Sequence, residues 1–416
     1  MTDDSYTFSD LGLCQPMVDA CKNLGWKYPM PIQVKTIPPA IQKKDICGTA
    51  ETGSGKTGAY MLPIFHHMWE NPHSFFALVF APTRELATQI DHVTRDIGKD
   101  IKVRVCTIIG GVDEESQVKA LKAQPHVIVA TPGRLARLIR NNPKVIPLNK
   151  VECLVFDEAD NMLREPSFQT DIQLILSKLN STHQTYLFSA TMPEEIEQLA
   201  KQTMSDPVRL SLTSANTVAR TLTEHLVISQ TGKKEATLVA LMNQYPDKQT
   251  IVFVGSCKTA TIITTLLSNL SFRTIVYHGQ LPQRERINAI DRFKNGDYRV
   301  LVATNVGSRG LDVPHVDLVI NYDLPEEHEE YVHRVGRAGR AERSGVAATI
   351  ITANEIVSYA RLENFLKKKI PKKDIPLDKI DEVTEKVELA KRVAVEKYKE
   401  MKKKQAQKKK EKARRE

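Results

Sequence analysis

The chain has 416 residues, of which 41% are hydrophobic and 26% are charged, and its formal net charge is +9. A chain of this length forms two or three domains, and the composition is that of a soluble globular protein. No apolar run approaches the about 18 residues that a membrane-spanning helix needs. Because the acidic N-terminus also lacks the apolar segment of a secretory signal, we expect an intracellular protein without membrane segments.

The first informative stretch is AETGSGKT, which begins at Ala50. It matches the phosphate-binding loop except that Ala replaces the first Gly of that motif. Gly53 and Gly55 allow backbone N–H groups to converge on an anion at a helix N-terminus. Lys56 can reach the β- and γ-phosphates, and the Thr57 hydroxyl can ligate Mg²⁺. The stretch predicts a nucleotide site, and a plain Gly/Ser/Thr turn before a helix is the alternative.

Short β-branched or aromatic runs, each ending in Gly, Pro, Asp, Ser or Thr, alternate with stretches of helical periodicity. Their lengths fit strands buried on both faces of a parallel sheet. A first set begins at residues 77, 127, 153 and 185, and a second set begins at residues 251, 274, 300, 318 and 347. This alternation predicts an α/β fold with two parallel sheets.

The polar, Ser/Thr-rich segment 211–225 separates the two sets and is predicted to be a linker. An N-terminal extension and a first domain then occupy residues 1–210, a second domain occupies 226–363, and a basic tail occupies 364–416. Ligands of open parallel sheets collect at the carboxyl ends of strands. If the two sheets face each other, the polar clusters at their strand ends line one cleft.

The FDEAD stretch places two acids directly after a predicted buried strand. Asp157 is suited to hold Mg²⁺, partly through water, and Glu158 to orient and deprotonate an attacking water molecule. The alternative is that these acids only cap a helix N-terminus. The FDEAD stretch occurs about a hundred residues after the phosphate loop, and the presence of both motifs favours phosphoryl transfer.

The HRVGRAGR stretch carries Arg334, Arg337 and Arg340 at intervals of three. Arginine forks stabilise charge on γ-phosphate oxygens, so these residues are candidate arginine fingers. They belong to the second predicted domain, so such a role requires domain closure. A solvated basic turn or a contact with a phosphate backbone is the alternative.

Hydroxyl groups, arginines and glycines at other strand ends can bind a sugar-phosphate backbone without reading bases. Each alone is more typical of ordinary loops, but their shared location at strand ends favours RNA binding. The residues assigned to RNA are Pro82, Thr83, Arg84, Gly111, Thr131, Gly133, Arg134, Gln283, Arg286 and Thr304.

The positive charge of the chain is concentrated in its C-terminal tail. Residues 391–416 contain thirteen Lys or Arg against four Glu, so the rest of the chain is neutral. This tail could bind RNA nonspecifically, direct nuclear import or only increase solubility.

The six cysteines form no C-x-x-C pair, and the eleven histidines form no H-x-x-x-H pair. We therefore expect reduced thiols and no tightly bound transition metal.

In chain order, GWKYPMPIQ, AETGSGKT, PTRELA, GG, TPGR, DEAD, SAT, IVFVG, HGQLPQRER, TNVGSRGLD and HRVGRAGR resemble the motif series of DEAD-box ATP-dependent RNA helicases. The series extends from Phe8 to Arg340, and the family has Ala at the position of Ala50. The resemblance implies two tandem RecA-like domains joined by a flexible linker, with ATP and Mg²⁺ as cofactors and RNA as partner.

The resemblance also implies roles for individual residues. Gln33 would recognise the adenine edge, and Phe8 would stack on the ring. Ser189 and Thr191 would link ATP hydrolysis to RNA binding, and His333 would contact the first domain near SAT. The implied nucleotide-binding residues are Phe8, Gln33, Ala50, Thr52, Gly53, Ser54, Gly55, Lys56, Thr57, Asp157, Gly310 and Asp312, the last at the ribose. The implied arginine fingers are Arg337 and Arg340.

Three positions depart from the family pattern. Met30 stands where Thr is frequent, Gly307 where Ala is usual, and Asn305 where Asp is common. The last change removes a charge beside the expected RNA path, so RNA affinity or its coupling to ATP is the property affected. The N-terminus, the residues around the phosphate loop and the tail most resemble the eukaryotic branch that acts in small-subunit ribosomal RNA processing.

We expect a monomeric, RNA-stimulated ATPase that uses ATP for local RNA duplex unwinding or ribonucleoprotein remodelling. The branch resemblance implies ribosomal RNA processing, pre-ribosomal protein partners and a nuclear or nucleolar location, with the cytoplasm as the alternative. An ATP-gated RNA clamp or scaffold without productive unwinding would use the same residues. A DNA translocase would share the sheets and the loop, but the DEAD, SAT and PTRELA wordings argue against it.

Overall fold

The computed structural model describes residues 6–50, 53–143, 145–163, 166–211, 222–305, 316–338 and 345–413. The chain divides into two compact units, Met1–Ala215 and Asn216–Glu416. Each unit is built on one sheet of parallel strands. Among the described residues, no helix is both long enough and apolar enough to cross a membrane.

The first unit contains seven strands and nine helices among its described residues. The strands are β1 Ile46–Thr49, β2 Ala77–Phe80, β3 Val105–Ile108, β4 Val127–Ala130, β5 Cys153–Phe156, β6 Gln184–Ser189 and β7 Val208–Ser211. The helices are α1 Gln15–Asn23, α2 Pro31–Ile41, α3 Lys56–Glu70, α4 Arg84–Ile97, α5 Glu114–Lys122, α6 Pro132–Asn141, α7 Ala159–Leu163, α8 Pro166–Leu176 and α9 Glu194–Thr203. The strand order in the sheet is β3-β4-β2-β5-β6-β1-β7.

The second unit repeats this design with six described strands. They are β8 Leu222–Ile228, β9 Thr250–Phe253, β10 Thr274–Tyr277, β11 Val300–Ala303, β12 Leu318–Asn321 and β13 Gly345–Ile351. The helices are α10 Lys234–Asn243, α11 Cys257–Asn269, α12 Gln283–Lys294, α13 His328–Val335, α14 Ile356–Leu366 and α15 Leu377–Ala413. The strand order is β10-β11-β9-β12-β13-β8.

Both faces of each sheet are buried, which explains why the strands are continuous apolar runs. In β5, Cys153 and Val155 pack into one hydrophobic cluster, while Leu154 and Phe156 pack into the cluster on the other face. Full burial of a large apolar side chain stabilises a fold by about 1.5–3 kcal/mol. In the central strands, the polar groups of the predicted site therefore lie at the strand ends, where the connecting segments begin.

The predicted α/β class with two parallel sheets is confirmed, and each of the nine predicted runs forms a strand. Strand β8 begins at Leu222, inside the segment predicted to be a linker, and pairs in parallel with β13. Its first half is polar, with Thr223, Glu224 and His225 in succession, so the segment lacks the continuous apolar run that marks the other strands. The domain boundaries remain predictions.

The C-terminal segment, predicted to be helical or disordered, includes the 37-residue helix α15. The apolar residues Ile380, Val387, Ala390 and Ala394 of this helix are buried in the hydrophobic cluster that includes α10 and α11. Much of the segment is therefore an integral layer of the second unit.

Asp45 connects two other chain segments at the amino-terminal edge of the first sheet. One carboxylate oxygen accepts a hydrogen bond from the Thr185 backbone N–H at 2.7 Å, and the other accepts one from the Ser205 N–H at 2.6 Å. Replacement of Asp45 by Ala removes the acceptor of both donors, which costs about 1–3 kcal/mol for the buried Thr185 N–H alone.

The two tryptophans, Trp26 and Trp69, both lie in the first unit. Urea unfolding followed by tryptophan fluorescence therefore reports on this unit. Asp45→Ala is expected to lower the urea midpoint, whereas Asp96→Ala at an exposed helical position is expected to leave it unchanged. Equal midpoints for the two variants would contradict the role assigned to Asp45.

Candidate nucleotide and RNA site

The phosphate loop has the conformation that its glycines predict. Gly53 and Gly55 have φ values of 82° and 87°, a region that disfavours other residues. Gly55 precedes the first residue of α3, and a Cβ atom on it would lie 2.7 Å from Met30 Sδ and 3.0 Å from Gln33 Nε2. Both the backbone conformation and the available space therefore require glycine there. Thr52 lies outside the described residues.

Lys56 is held within this loop. Its side chain is 7% exposed, and Nζ donates to the carbonyl oxygen of Ala50 at 3.1 Å. The Ala50 N–H in turn donates to the carbonyl oxygen of Ser189, which ends β6. The loop is thus tied to the strand that carries the SAT residues, and a buried ammonium lies beside the N-terminus of α3. This arrangement is suited to bind phosphate.

Asp157 follows β5 and is 2% exposed. Its Oδ2 accepts a hydrogen bond from the Tyr60 hydroxyl at 3.0 Å, whereas its buried Oδ1 has no hydrogen-bond partner among the described residues. Burial raises the pKa of Asp157, and the nearby charge of Lys56 opposes this shift. A buried carboxylate oxygen without a partner, in the same cavity as Thr57, fits the oxygen ligands that Mg²⁺ prefers.

The DEAD and SAT residues form one buried network. Glu158 has a left-handed φ of 52°, which is uncommon outside glycine and is typical of strained functional sites. Its Oε2 accepts a hydrogen bond from Asn161 at 3.1 Å. The Asp160 N–H donates to Ser189 Oγ at 3.3 Å, and the Thr191 hydroxyl donates to Asp160 Oδ2 at 3.2 Å. A displacement of the DEAD residues is therefore transmitted to the SAT residues, and the reverse also holds.

A cavity of about 600 Å³ adjoins the phosphate loop and has the size of a small-molecule site. Predicted residues that line it are Gln33, Gly53, Gly55, Lys56, Thr57, Asp157 and Glu158. Met30, noted above as a departure from the family pattern, also lines the cavity. Further lining residues that the sequence reasoning did not single out are Gly25, Trp26, Lys27, Tyr28, Gly58, Leu86, Gln89 and Val93. The two aromatic residues precede Gln33 in GWKYPMPIQ, and this signal could have identified them.

Phe8 and Gln33 were both predicted to contact adenine. Phe8 is 4% exposed, and its ring centroid lies 6.3 Å from that of Trp26, which lines the cavity. Gln33 accepts a hydrogen bond from the Met30 N–H at 2.8 Å and donates one to the Gly55 carbonyl at 3.2 Å. Both roles remain predictions, and the structure adds that Gln33 braces the phosphate loop.

The residues of PTRELA lie at the start of α4. The Thr83 hydroxyl caps this helix by accepting a hydrogen bond from the Leu86 N–H at 3.2 Å. The Arg84 guanidinium packs over Gly110, where a Cβ atom would approach Nη2 to 2.7 Å. Pro82 immediately precedes the cap, so this segment has a fixed position at the carboxyl end of β2.

Arg134 fixes the loop that contains the predicted Gly111. Its guanidinium donates to the Val112 carbonyl at 2.9 Å and lies 3.4 Å from the Glu114 carboxylate. Thr131 and Gly133, which open the same helix α6, also lie at the carboxyl end of the sheet, after β4. Arg134 therefore positions a backbone segment, in addition to any contact that it makes with RNA.

In the second unit, the predicted residues again follow strands. Thr304 follows β11 and is 8% exposed, and Arg286 of α12 donates to the Tyr277 hydroxyl at 3.2 Å. Arg337 is 2% exposed and donates to the His333 carbonyl at 3.3 Å. The sites predicted at Gly310, Asp312 and Arg340, and the side chain of Gln283, lie outside the described residues.

Asn305 lies in a buried polar network. Its amide nitrogen donates to the Glu330 carboxylate, and its amide oxygen accepts from the Arg334 guanidinium. Arg334 is 1% exposed and also contacts Glu330 and the Asp323 carbonyl. The amide thus serves as donor and acceptor at once, which a carboxylate cannot do. An effect of Asn305 on RNA binding remains a prediction.

His66, His67 and Glu70 form one other cluster of possible metal ligands. However, His66 Nδ1 accepts a hydrogen bond from the Cys14 N–H at 3.0 Å. A neutral imidazole with an accepting Nδ1 carries its proton on Nε2, so the atom that faces Glu70 is not a free ligand. The geometry of His66 is that of a structural histidine.

Parallel sheets with a phosphate loop, an acidic pair after a strand and basic groups at other strand ends are the arrangement of a nucleotide-hydrolysing enzyme that acts on nucleic acid. Residues 30–199 match the family model described as DEAD/DEAH box helicase, and residues 233–342 match the helicase conserved C-terminal domain. The chain belongs to the DEAD-box family of ATP-dependent RNA helicases, as the motif series predicted.

Two curated relatives and one solved structure illustrate the similarity. The Aspergillus fumigatus ATP-dependent rRNA helicase rrp3 is 42% identical over 94% of this chain and 82% of its own. The human probable ATP-dependent RNA helicase DDX47 is 40% identical over 94% and 86%. S. cerevisiae Dbp5 bound to RNA and ADP BeF3 is 29% identical, covers 92% of this chain and 99% of its own, and has a TM-score of 0.80. These likenesses confirm the predicted RecA-like fold.

Substitution of Gly55 by Ala is expected to weaken ATP binding at least about ten-fold. Left-handed strain of about 1–2 kcal/mol adds to the displacement of Met30 and Gln33 by the new methyl group. Isothermal titration calorimetry with ATP measures the change. Gly232→Ala is the matched control, because Gly232 also has a left-handed φ, of 84°, but no atom of the described residues lies within 4 Å of the added Cβ. Unaltered ATP affinity in the Gly55 variant would refute the assignment.

Proposed function

We propose that this protein is an RNA-stimulated ATPase that separates short RNA duplexes or remodels ribonucleoprotein during ribosomal RNA processing. The observation that carries the proposal is the buried network that joins the DEAD and SAT residues to the phosphate loop. The rRNA-processing part is supported by the relatives named rRNA helicase, which match 94% of this chain at about 42% identity.

The nucleotide would be held by the first unit. The 53–57 loop binds the phosphates through its N–H groups and Lys56, and Gln33, with Phe8 nearby, would recognise the adenine. Thr57 and Asp157 would hold Mg²⁺, partly through water, and this ion supplies positive charge to the β- and γ-phosphates. The remaining nucleotide-binding assignments, Ala50, Thr52, Ser54, Gly310 and Asp312, rest on the motif match.

Hydrolysis requires a base near the γ-phosphate. Glu158 is buried, and Asn161 donates to one of its carboxylate oxygens; both observations support our assignment of Glu158 as the base that orients and deprotonates a water molecule. We assign Arg337 and Arg340 to the developing charge on the γ-phosphate oxygens. That role requires the second unit to close on the first, with His333 next to SAT.

Coupling between ATP and RNA would pass through Asp160. This residue contacts Ser189 and Thr191 and lies two residues after Glu158 in the sequence. RNA would lie on the backbone-contact residues predicted above, at the carboxyl ends of both sheets. Linkage then requires ATP and RNA each to tighten the binding of the other.

The cellular context is also part of the proposal. A role in ribosomal RNA processing places the protein in the nucleus or nucleolus and makes pre-ribosomal proteins its partners. We propose that it acts as a monomer, because the predicted ATP and RNA residues all come from one chain.

Steady-state ATP hydrolysis with and without single-stranded RNA tests this function. RNA is expected to stimulate hydrolysis by the unaltered protein, and Glu158→Gln is expected to reduce the stimulated rate at least about 100-fold, while ATP still binds. Glu115→Gln, at an exposed helical position, is the matched control and should keep the full rate.

A short RNA duplex with a single-stranded extension distinguishes unwinding from clamping. The proposed function predicts ATP-dependent strand release that is absent in Glu158→Gln under multiple-turnover conditions. If RNA is released slowly after ATP binds and the strands do not separate, the helicase proposal is wrong and the protein is an ATP-gated RNA clamp.

A further inference from the structure

The charges of helix α15 are divided along its length. Its first part, residues 377–396, has four Lys or Arg against six Asp or Glu, whereas residues 397–413 have nine Lys against two Glu. We name residues 397–413 the basic arm. The helix is continuous through both parts, so the arm spans about 25 Å at about 1.5 Å per residue.

The acidic first part is fixed to the second unit. Four of its apolar side chains are buried against α10 and α11. Asp381 pairs with Lys233 at 2.6 Å, and Lys391 pairs with Glu235 of α10 at 2.5 Å. Beyond Ala394, no described side chain of the helix is buried. Tyr398, Met401 and Lys402 are still half-buried, so the start of the arm follows the surface of the unit in a direction that the first part sets.

That direction leads past the loop between β10 and α12. Lys402 Nζ lies 3.5 Å from Gln280 Oε1, three residues before Gln283. The pKa of His278 in this loop is lowered chiefly by burial, and the charges of Lys402 and Arg286 lower it further. One histidine thus lies within electrostatic range of both the arm and a residue assigned to RNA. The arm begins at the predicted RNA-binding edge of the second unit.

We propose that the basic arm is a fixed extension of the RNA-binding surface, which binds the phosphate backbone beyond the segment held at Gln283, Arg286 and Thr304. The inference rests on the proposed function, because those residues are assigned to RNA there. It differs from a flexible basic tail, since the arm would hold RNA at a set position. Binding of RNA by the arm needs no ATP, because the arm and the part of α15 that anchors it both belong to the second unit.

The composition of the arm favours RNA over an acidic protein. Its only residues with large apolar groups are Tyr398 and Met401, and Lys402 lies over the ring of Tyr398. Protein interfaces depend on buried aromatic or aliphatic anchors and are depleted in lysine. Lysine is a point charge on a flexible stem, which suits sequence-independent contact with phosphates.

Neutralisation of Lys399, Lys403 and Lys404, which are exposed, tests the proposal. The probes are fluorescent oligouridylates of about 8 and about 25 nucleotides, because single-strand sites on one domain cover about 4–16 nucleotides. Without ATP, the triple Lys→Gln variant is expected to bind the longer probe about ten-fold more weakly and the shorter probe as before. The salt slope for the longer probe should fall by about 2, at about 0.7 per lost contact.

Two further variants separate position from charge. Lys372→Gln, Lys379→Gln and Lys386→Gln together change the net charge equally within or near the docked part, and should leave binding of the longer probe unaltered. Glu400→Pro keeps every lysine but breaks the helix at the base of the arm. A fixed arm predicts weaker binding of the longer probe in this variant, whereas wild-type affinity would show a flexible tether and overturn the fixed position.

The outcome is independent of the ATPase test. At saturating RNA, all three variants are expected to hydrolyse ATP at the unaltered rate, so loss of RNA-stimulated hydrolysis in the wild type would contradict the proposed function alone. Equal affinity of the wild type and the triple variant for the longer probe, with equal salt slopes, would overturn the proposal and leave the arm to a protein partner.

Discussion

Burial of both faces of each parallel sheet is the constraint on which the rest of the structure depends. Since both faces of the central strands are covered, as the alternation of Val155 and Phe156 between two clusters shows, the polar chemistry of the site lies where strands end. Parallel strands all end at the same edge. The topology of the sheet alone therefore brings together the phosphate loop, the DEAD acids and the SAT hydroxyls, which are distant in the sequence.

Much of this could be predicted from the sequence. Apolar runs of strand length identified nine strands, and each residue type at a strand end carried a recognisable chemistry. The strands β1, β3, β7 and β8 were harder. β1 contains Gly48 within a four-residue run, and β7 and β8 lie on sheet edges, where half-exposed residues replace the continuous apolar pattern.

Side-chain partners were beyond the sequence for a physical reason. A motif tells which group is needed, but the contacts of that group depend on residues that are distant in the chain. Nothing in the wording of TPGR indicates that Arg134 would support the Val112 carbonyl. Likewise, Asn305 looked like the loss of a charge, whereas the structure shows an amide that satisfies Glu330 and Arg334 together.

The hydrogen bonds of Gln33 have a consequence for the choice of nucleobase. Its amide has an acceptor in Gly55 and a donor in Met30, which fix its orientation and leave one N–H and one lone pair for a further partner. A partner with only one complementary group, or with the two reversed, would leave a polar group unpaired, at about 1–3 kcal/mol if buried. The contacts with Gly55 and Met30 thus orient the amide in advance, so the predicted role of Gln33 at adenine would need little reorganisation of its side chain.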